Sequence, residues 1–178
     1  MSLERTLATS LVDGFDQAWQ PLLERTATLT DAEFHWQPAD DGWGVHERDG
    51  AWLADWTDPD PEPAPVTTIA WRTWHLAVDA LDSYSARLFG RTGSGLRGRE
   101  WVGTWSAAQP LLAAAGQVFR EGLVAWGDDL FVPLGDSWGP FAQHSRVDLY
   151  LHARREVSHH GAEIALLRDL YAATTTAR

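Results

Sequence analysis

The chain has 178 residues, a formal net charge of −11 and a globular composition, with 44% hydrophobic and 22% charged residues. This length predicts a single domain over residues 1–178 with a sizeable buried core. The acidity argues against a nucleic-acid partner and an anionic membrane, since both need clustered basic charge. Cys and Lys are absent, which excludes a thiol nucleophile of the chain's own, a lysine Schiff base and the lysine of a P-loop.

The sequence shows no membrane or export signal. No apolar run approaches the length of a membrane span, and the N-terminal residues lack the apolar segment of a signal peptide. We therefore expect a soluble, cytoplasmic protein.

The first predicted helix runs from about Leu3 to Leu29, where apolar residues recur at three- and four-residue steps. Pro21 lies inside this pattern and is a candidate kink. Directly afterwards, the residues from Thr30 to Glu33 have the pattern of a capping box, in which each end of the motif satisfies a backbone N–H of the other.

The stretch from Phe34 to Pro65 shows no sustained period and is rich in tryptophan, with Trp36, Trp43, Trp52 and Trp56. A connection of this length is uncommon in a compact domain, and such loops are often functional. Two interpretations remain open: a flap whose tryptophans close the end of the core, or a wall of a ligand pocket.

Three further amphipathic helices are predicted along the rest of the chain. They run from a cap at Thr67 or Thr68 to about Phe89, from about Ser106 to Trp126, and from about Gln143 to Ala173. Because no segment has a convincing strand pattern, the sequence predicts an all-α protein, a four-helix bundle with a long first connection.

The residues from Gly93 to Gly98 match the GxGxxG pattern of dinucleotide-binding proteins. That fingerprint requires a buried strand before it and a helix starting on it. A helix is predicted before this segment, so we interpret it as a loop between helices.

Histidine and glutamate residues cluster on one side of the last predicted helix: His152, Glu156, His159, His160 and Glu163 are spaced so that they share a face. Imidazoles and carboxylates on the core side of a bundle are costly unless they are paired, and a divalent cation pairs them. The spacing therefore suggests a metal site.

Glu156 and His160 are four residues apart and can reach one ion, and His75, in an apolar part of the second helix, is a plausible third ligand. Three protein ligands leave positions for water or substrate, as in catalytic sites. Other interpretations stay open: a hydrogen-bonded core histidine at position 75, a Glu156 paired with Arg154 or Arg155, and solvent-facing His152 and His159.

Two stretches resemble the signatures of the DinB-like superfamily, which includes mycothiol-dependent maleylpyruvate isomerases and bacillithiol-related transferases. They are PVTTIAWRTWH, from Pro65 to His75, and REVSHHGAEI, from Arg155 to Ile164. The resemblance covers nearly the whole chain. It implies a four-helix bundle in up-down-down-up order, with a possible homodimer.

The resemblance also implies a divalent metal, most often zinc or nickel, held by three side chains. His75 matches the ligand of the second helix, and Glu156 and His160 match the Glu-x-x-x-His pair of the last helix, with His159 as the alternative ligand. Arg72, one turn before His75, is expected either to face the pocket or to point outward.

The implied activity is that of a transferase or isomerase in which a low-molecular-weight thiol attacks a small electrophile. A chain without Cys would take that thiol from outside, so a thiol and a small-molecule substrate are the expected partners. A hydrolase that activates water with the same ligands, and a non-catalytic, stress-associated metal-binding protein, are the alternatives.

Overall fold

The computed structural model of the protein describes residues 3–59, 61–127 and 129–176. Helix α1 covers Leu3–Thr26 and is followed by the single turn α2, Asp31–Phe34. A composite helix comprises α3 (Ile69–Trp74), a π-helical segment (His75–Asp82) and α4 (Ser83–Phe89). Helices α5 (Trp105–Trp126) and α6 (Arg146–Thr176) follow, with two 3-10 segments between them, Asp129–Phe131 and Asp136–Phe141.

Four long helical segments pack around one core. Helix α1 lies against α5 and α6, and the composite helix also lies against both. Phe15 stacks on Trp19 and contacts Phe119, so α1 and α5 are joined through aromatic side chains that are almost fully buried. The expected mostly helical architecture is confirmed, while the up-down-down-up order and the single domain stay predictions. No helix among the described residues is long and apolar enough to cross a membrane.

Most helix boundaries follow the sequence signals. Thr30 caps α2 with the expected capping box, and Thr68 caps the composite helix by accepting a hydrogen bond from the Trp71 backbone N–H. The first helix continues through Pro21 but ends at Thr26, not at Leu29. The last helix begins at Arg146, a few residues later than expected.

The expectation of a chain without strands is wrong, because the structure contains a small antiparallel sheet. Strand β1 (Val45–Arg48) pairs with β2 (Ala51–Ala54), which pairs with β3 (Glu100–Trp101). The β1–β2 turn is Asp49-Gly50, and both residues have positive φ, 53° and 82°. This is the geometry of a two-residue hairpin turn, for which Asp-Gly is a strong sequence signal.

Two of the four tryptophans of the first connection pack on the composite helix. Trp43 contacts Trp71, and Trp56 contacts Trp74, at ring-centroid distances of 5.8 and 6.2 Å. The Trp71 indole N–H donates to the Asp55 carbonyl at 2.8 Å, which fixes the connection to the helix. This packing supports the interpretation of residues 34–65 as a covering flap.

The glycine-rich segment at Gly93 is a loop between helix α4 and strand β3, as expected. The buried carboxylate of Asp82 accepts hydrogen bonds from the backbone N–H groups of Gly93 and Ser94, at 2.7 and 2.9 Å. A Cβ at Gly93 would lie 2.2 Å from the Ala114 carbonyl oxygen, so only glycine allows this close approach to α5. Packing, and not phosphate binding, explains the glycine.

Candidate metal centre

The composite helix positions His75 where α3 passes into the π-helical segment. The Thr68 cap and the buried Ile69, Ala70 and Trp74 set the direction of α3 toward the core. His75 stacks flat on Trp71, with ring centroids 5.3 Å apart and planes 6° from parallel. π-helical turns are rare and concentrate at functional sites. The π-helical segment that begins at His75 is therefore a second indication that this residue belongs to a functional site.

Three predicted ligands meet between the composite helix and α6. Oε2 of Glu156 lies 3.3 Å from Nε2 of His75 and 3.1 Å from Nε2 of His160. The two imidazole rings are nearly perpendicular, with centroids 4.7 Å apart. One ligand atom from each residue lies within 4.8 Å of the other two. The structure therefore brings together the three residues that the sequence selected.

The carboxylate of Glu156 divides its contacts between its two oxygens. Oε1 accepts a hydrogen bond from Arg155 at 3.2 Å and lies 3.8 Å from Nε2 of His152, whereas Oε2 faces His75 and His160. The pairing of Glu156 with Arg155, considered as an alternative to a metal site, thus coexists with the histidine contacts. Arg155 holds one oxygen so that the other points inward.

Each of the two histidines has a second carboxylate behind it. Oδ2 of Asp79 lies 3.0 Å from Nδ1 of His75, and Oε2 of Glu163 lies 2.6 Å from Nδ1 of His160. A carboxylate beside Nδ1 favours a proton on that nitrogen, so Nε2 would become the ligand atom once a cation displaces the proton that Nε2 donates to Glu156. Both Nε2 atoms then face the Glu156 carboxylate as potential ligands.

Arg72 lies inside the site and does not point outward. Its Nη1 lies 3.1 Å from both Oε2 of Glu163 and Nδ1 of His160, and its side chain is only 16% exposed. Its contact with Glu163 links the composite helix to α6 directly beside the histidine. Arg72 is therefore part of the cluster that holds His160 in place.

The charges around the site shift the pKa values of its groups. Burial lowers the pKa of His75, but the carboxylates of Asp79 and Glu156 outweigh it and raise this pKa from 6.5 to about 9. Hydrogen bonds from His160 and His75 hold the pKa of Glu156 far below its usual value of 4.5, against the effect of burial. Glu156 is therefore ionised at neutral pH, and it favours cations beside it.

The donor set fits a divalent cation. Two imidazole nitrogens and one carboxylate oxygen are ligands that zinc and related ions accept, and three protein ligands leave a position open. The side chains of Glu156 and His160 are only 14% and 8% exposed, so the ion would be shielded by protein on the core side. His75, Glu156 and His160 are thus the residues that could hold it.

His159, the alternative ligand, lies on the outer side of the cluster. Its side chain is 62% exposed, and its Nε2 lies 3.3 Å from Oε1 of Glu163. His159, His160 and Glu163 form a second group whose atoms are close enough for an ion. That group is more exposed, and Arg72 places a positive charge against it, so it is the weaker candidate.

A cavity of about 720 Å³ opens beside the metal cluster. It touches the cluster at Asp79, His152 and Arg155, which contact His75 and Glu156. Aromatic side chains form much of the remaining wall: Tyr84, Trp138 and Phe141. No residue of the flap over 34–59 and 61–65 lines this cavity, so the flap is not its wall.

Sequence reasoning missed the role of Asp79 and left that of Arg72 undecided. Asp79 follows His75 by four residues, the spacing of side chains that share a helix face, and this signal was available. The arrangement of Arg72 depends on how the composite helix and α6 face each other, which no local pattern reveals.

Comparison with known proteins identifies one relationship. The sequence model of the DinB superfamily matches residues 14–164, a range that includes all three candidate ligands. No curated protein and no solved structure matches the chain significantly.

Proposed function

The chain belongs to the DinB superfamily, and we propose that it is a divalent-metal-binding member that joins a low-molecular-weight thiol to small electrophiles or uses this thiol to isomerise them. The proposed ligands are His75, Glu156 and His160. The observation that carries the proposal is that both Nε2 atoms face one oxygen of Glu156 while each Nδ1 faces a carboxylate.

The cation would make the site suitable for an anionic reactant. Arg155 and Arg72 are each paired with a carboxylate of the cluster, Glu156 and Glu163, so they offset those charges and leave the cation to favour an anion over its protonated form. When bound, a divalent cation would lower the pKa of a thiol or water molecule beside it. Since the chain has no Cys, the thiol, of the mycothiol or bacillithiol type, comes from outside.

The fold gives this reactant a place to meet its acceptor. The 720 Å³ cavity reaches the cluster at Asp79, His152 and Arg155, and its volume suits a small molecule. The flap tryptophans pack on the other side of His75, through Trp71. An acceptor in the cavity would approach Glu156 and His75 from the side that the flap leaves uncovered.

Several properties of the protein follow as parts of the proposal. Zinc or nickel is the proposed ion, because imidazole nitrogen suits both. A cytoplasmic location agrees with the need for a reduced thiol. A homodimer is proposed from the family resemblance alone, and light scattering on the purified protein tests it.

Elemental analysis of purified protein tests the metal site. We expect about one ion per chain in the wild type and in His159→Ala, and much less in His160→Ala. These neighbouring histidines form a matched pair, because only His160 faces Glu156. Loss of the ion in His159→Ala with retention in His160→Ala would refute the ligand assignment.

Turnover with a thiol panel tests the reaction. Mycothiol and bacillithiol are supplied with a maleylpyruvate-type or chlorodinitrobenzene-type acceptor, in metal-loaded protein and in Glu156→Gln. Thiol-dependent turnover that Glu156→Gln abolishes supports the proposal. Turnover of esters or amides without thiol would identify a hydrolase, and metal-loaded protein inactive in both assays would indicate a non-catalytic metal-binding protein.

A further inference from the structure

We propose that the cavity beside the metal cluster binds a planar aromatic carboxylate, with the carboxylate on Arg87 and the ring against Tyr84 and Trp138. The inference rests on the proposed function and deepens it, because it names the chemical class of the acceptor. Binding itself needs neither metal nor thiol, so it is tested independently.

The wall of the cavity suits a flat ring. Tyr84 contacts Trp138 at a ring-centroid distance of 6.2 Å and His152 at 5.9 Å. These three rings therefore form a row along one side of the cavity. Phe141 lies on the rim and is 55% exposed, which leaves apolar surface that a ligand would cover. Aromatic faces favour planar ligands over flexible aliphatic chains of similar size.

The charges of the lining decide the sign of the ligand, and most of them already have partners. Asp79 faces His75, and Asp148 accepts hydrogen bonds from the backbone N–H and the hydroxyl of Ser145. Arg155 is engaged by Glu156 and His152. These groups neutralise one another within the wall, and they leave the cavity without a carboxylate in need of a cation.

Arg87 is the exception. Its guanidinium lies over the Trp138 ring, 4.9 Å from the centroid, and no ion pair joins it to any residue within 3–59, 61–127 and 129–176. A guanidinium that contacts a ring through its Cζ still has N–H donors to offer, and their fork matches a carboxylate. Arg87 is an exposed residue, so a ligand can reach it from solvent, and a cation without a carboxylate partner at a cavity favours an anionic ligand in a protein of net charge −11.

The same geometry directs the ligand toward the metal cluster. Arg87 lies on α4 and Asp79 lies two turns earlier on the composite helix, and both line the cavity. A ligand held by its carboxylate at Arg87 extends along the aromatic wall toward His152, the lining residue 3.8 Å from Glu156. The end opposite the carboxylate is therefore the end presented for reaction.

Calorimetric titration of metal-free protein with 2-naphthoate tests the inference, at about 0.15 M salt so that long-range repulsion is screened. We expect binding that weakens about tenfold or more in Arg87→Gln, because a charge-assisted pair is lost. Arg91→Gln is the matched control: Arg91 follows two residues after α4 and pairs with Glu121, and we expect no change in this variant.

Two further ligands separate charge from shape. The neutral 2-naphthamide should bind weakly and equally to wild type and Arg87→Gln. Malate, which carries carboxylates without a ring, should bind far more weakly than naphthoate. Equal naphthoate affinity in wild type and Arg87→Gln, or malate binding as tight as naphthoate, would overturn the inference.

The measurements also separate this inference from the proposed function. Naphthoate binding that depends on Arg87 supports the ligand site even if no thiol-dependent turnover is found. Conversely, turnover that depends on metal and thiol, together with no carboxylate binding, refutes the ligand site alone. Trp138→Leu, checked for folding by circular dichroism, should weaken naphthoate binding while leaving the metal content unchanged.

Discussion

Asp79 lies behind His75, with its carboxylate Oδ2 3.0 Å from Nδ1 of the imidazole. The two atoms are close without the alignment of a hydrogen bond, so Asp79 acts on His75 through its charge, which favours a proton on Nδ1 and leaves Nε2 as the proposed ligand atom. We expect Asp79→Asn to weaken metal affinity by about 10- to 100-fold, the usual effect of losing such a partner. Competition with a chelating dye measures this change.

The control for this prediction is an exposed aspartate that is not part of the cluster. Asp13 lies on the exposed part of α1, and Asp13→Asn removes the same charge from the chain. If both variants lowered the metal affinity equally, overall charge and not the position of Asp79 would be responsible.

The pKa of His75 predicts how the stability of metal-free protein depends on pH. The folded-state pKa, about 9, lies above the value of 6.5 for a free histidine, so the folded state holds this proton more tightly. The resulting stabilisation is fully present below pH 6.5 and is lost as the pH rises through about 9. It amounts to about 3 kcal/mol at most.

Urea unfolding in the presence of EDTA measures this loss between pH 6.5 and pH 9.5. In His75→Gln the decline over this range should be much shallower. Glu156 affects stability at acidic pH, because its pKa is lowered in the folded state. The stabilisation that it contributes is lost as the pH falls below 4.5. An unfolding midpoint that stays constant from pH 6.5 to pH 9.5 in the wild type would contradict the prediction.

Trp71 should report metal binding by fluorescence, because its indole stacks on His75 with ring centroids 5.3 Å apart. We expect nickel, an open-shell ion, to quench part of the emission, and zinc, which has a filled d shell, to reverse the quenching by displacement. The protein has 11 tryptophans, so the quenched fraction should be small.

Two variants identify the source of this signal. Trp71→Phe should bind nickel with near-normal affinity while losing most of the quenching, and His75→Ala should lose both. Undiminished quenching in Trp71→Phe would show that a different tryptophan reports the ion.

The central site was predictable from sequence because its signals are local. Glu156 and His160 are four residues apart on one helix, and His75 is a polar residue among apolar ones, so each stood out without knowledge of the fold. The contact of His75 with Glu156 required only that the two helices face each other. The family signatures indicated the same pairing.

Other parts of the structure depend on signals that are weak or non-local. The strands at Val45–Arg48 and Ala51–Ala54 have four residues each, too few to show a clear two-residue alternation. The Asp49-Gly50 turn was the one local signal for this hairpin. The π-helical hydrogen bonding of His75–Asp82 has no established sequence signature. The cavity at Arg87 forms between α4, α6 and the 3-10 segment Asp136–Phe141, so it exists only after these elements pack.

Arg72 and Glu163 form an ion pair that holds His160, and their coupling can be measured. Glu163 Oε2 lies 2.6 Å from Nδ1 of His160 and 3.1 Å from Nη1 of Arg72. Glu163→Gln removes the charged acceptor and leaves the arginine cation beside the imidazole, where it can donate to Nδ1 and move the ring proton to Nε2. Since Nε2 is the proposed ligand atom, we expect metal affinity to fall about 10- to 100-fold.

Arg72→Gln should restore part of this loss when it is combined with Glu163→Gln, because the competing donor is then neutral. A double-mutant cycle on metal affinity should give a coupling energy of about 0.5–3 kcal/mol between the two positions. Arg25→Gln, which removes an arginine paired with Asp169 on the same helix, is the control and should show no coupling to Glu163. Strictly additive effects of Arg72→Gln and Glu163→Gln would mean that the pair does not set the tautomer of His160.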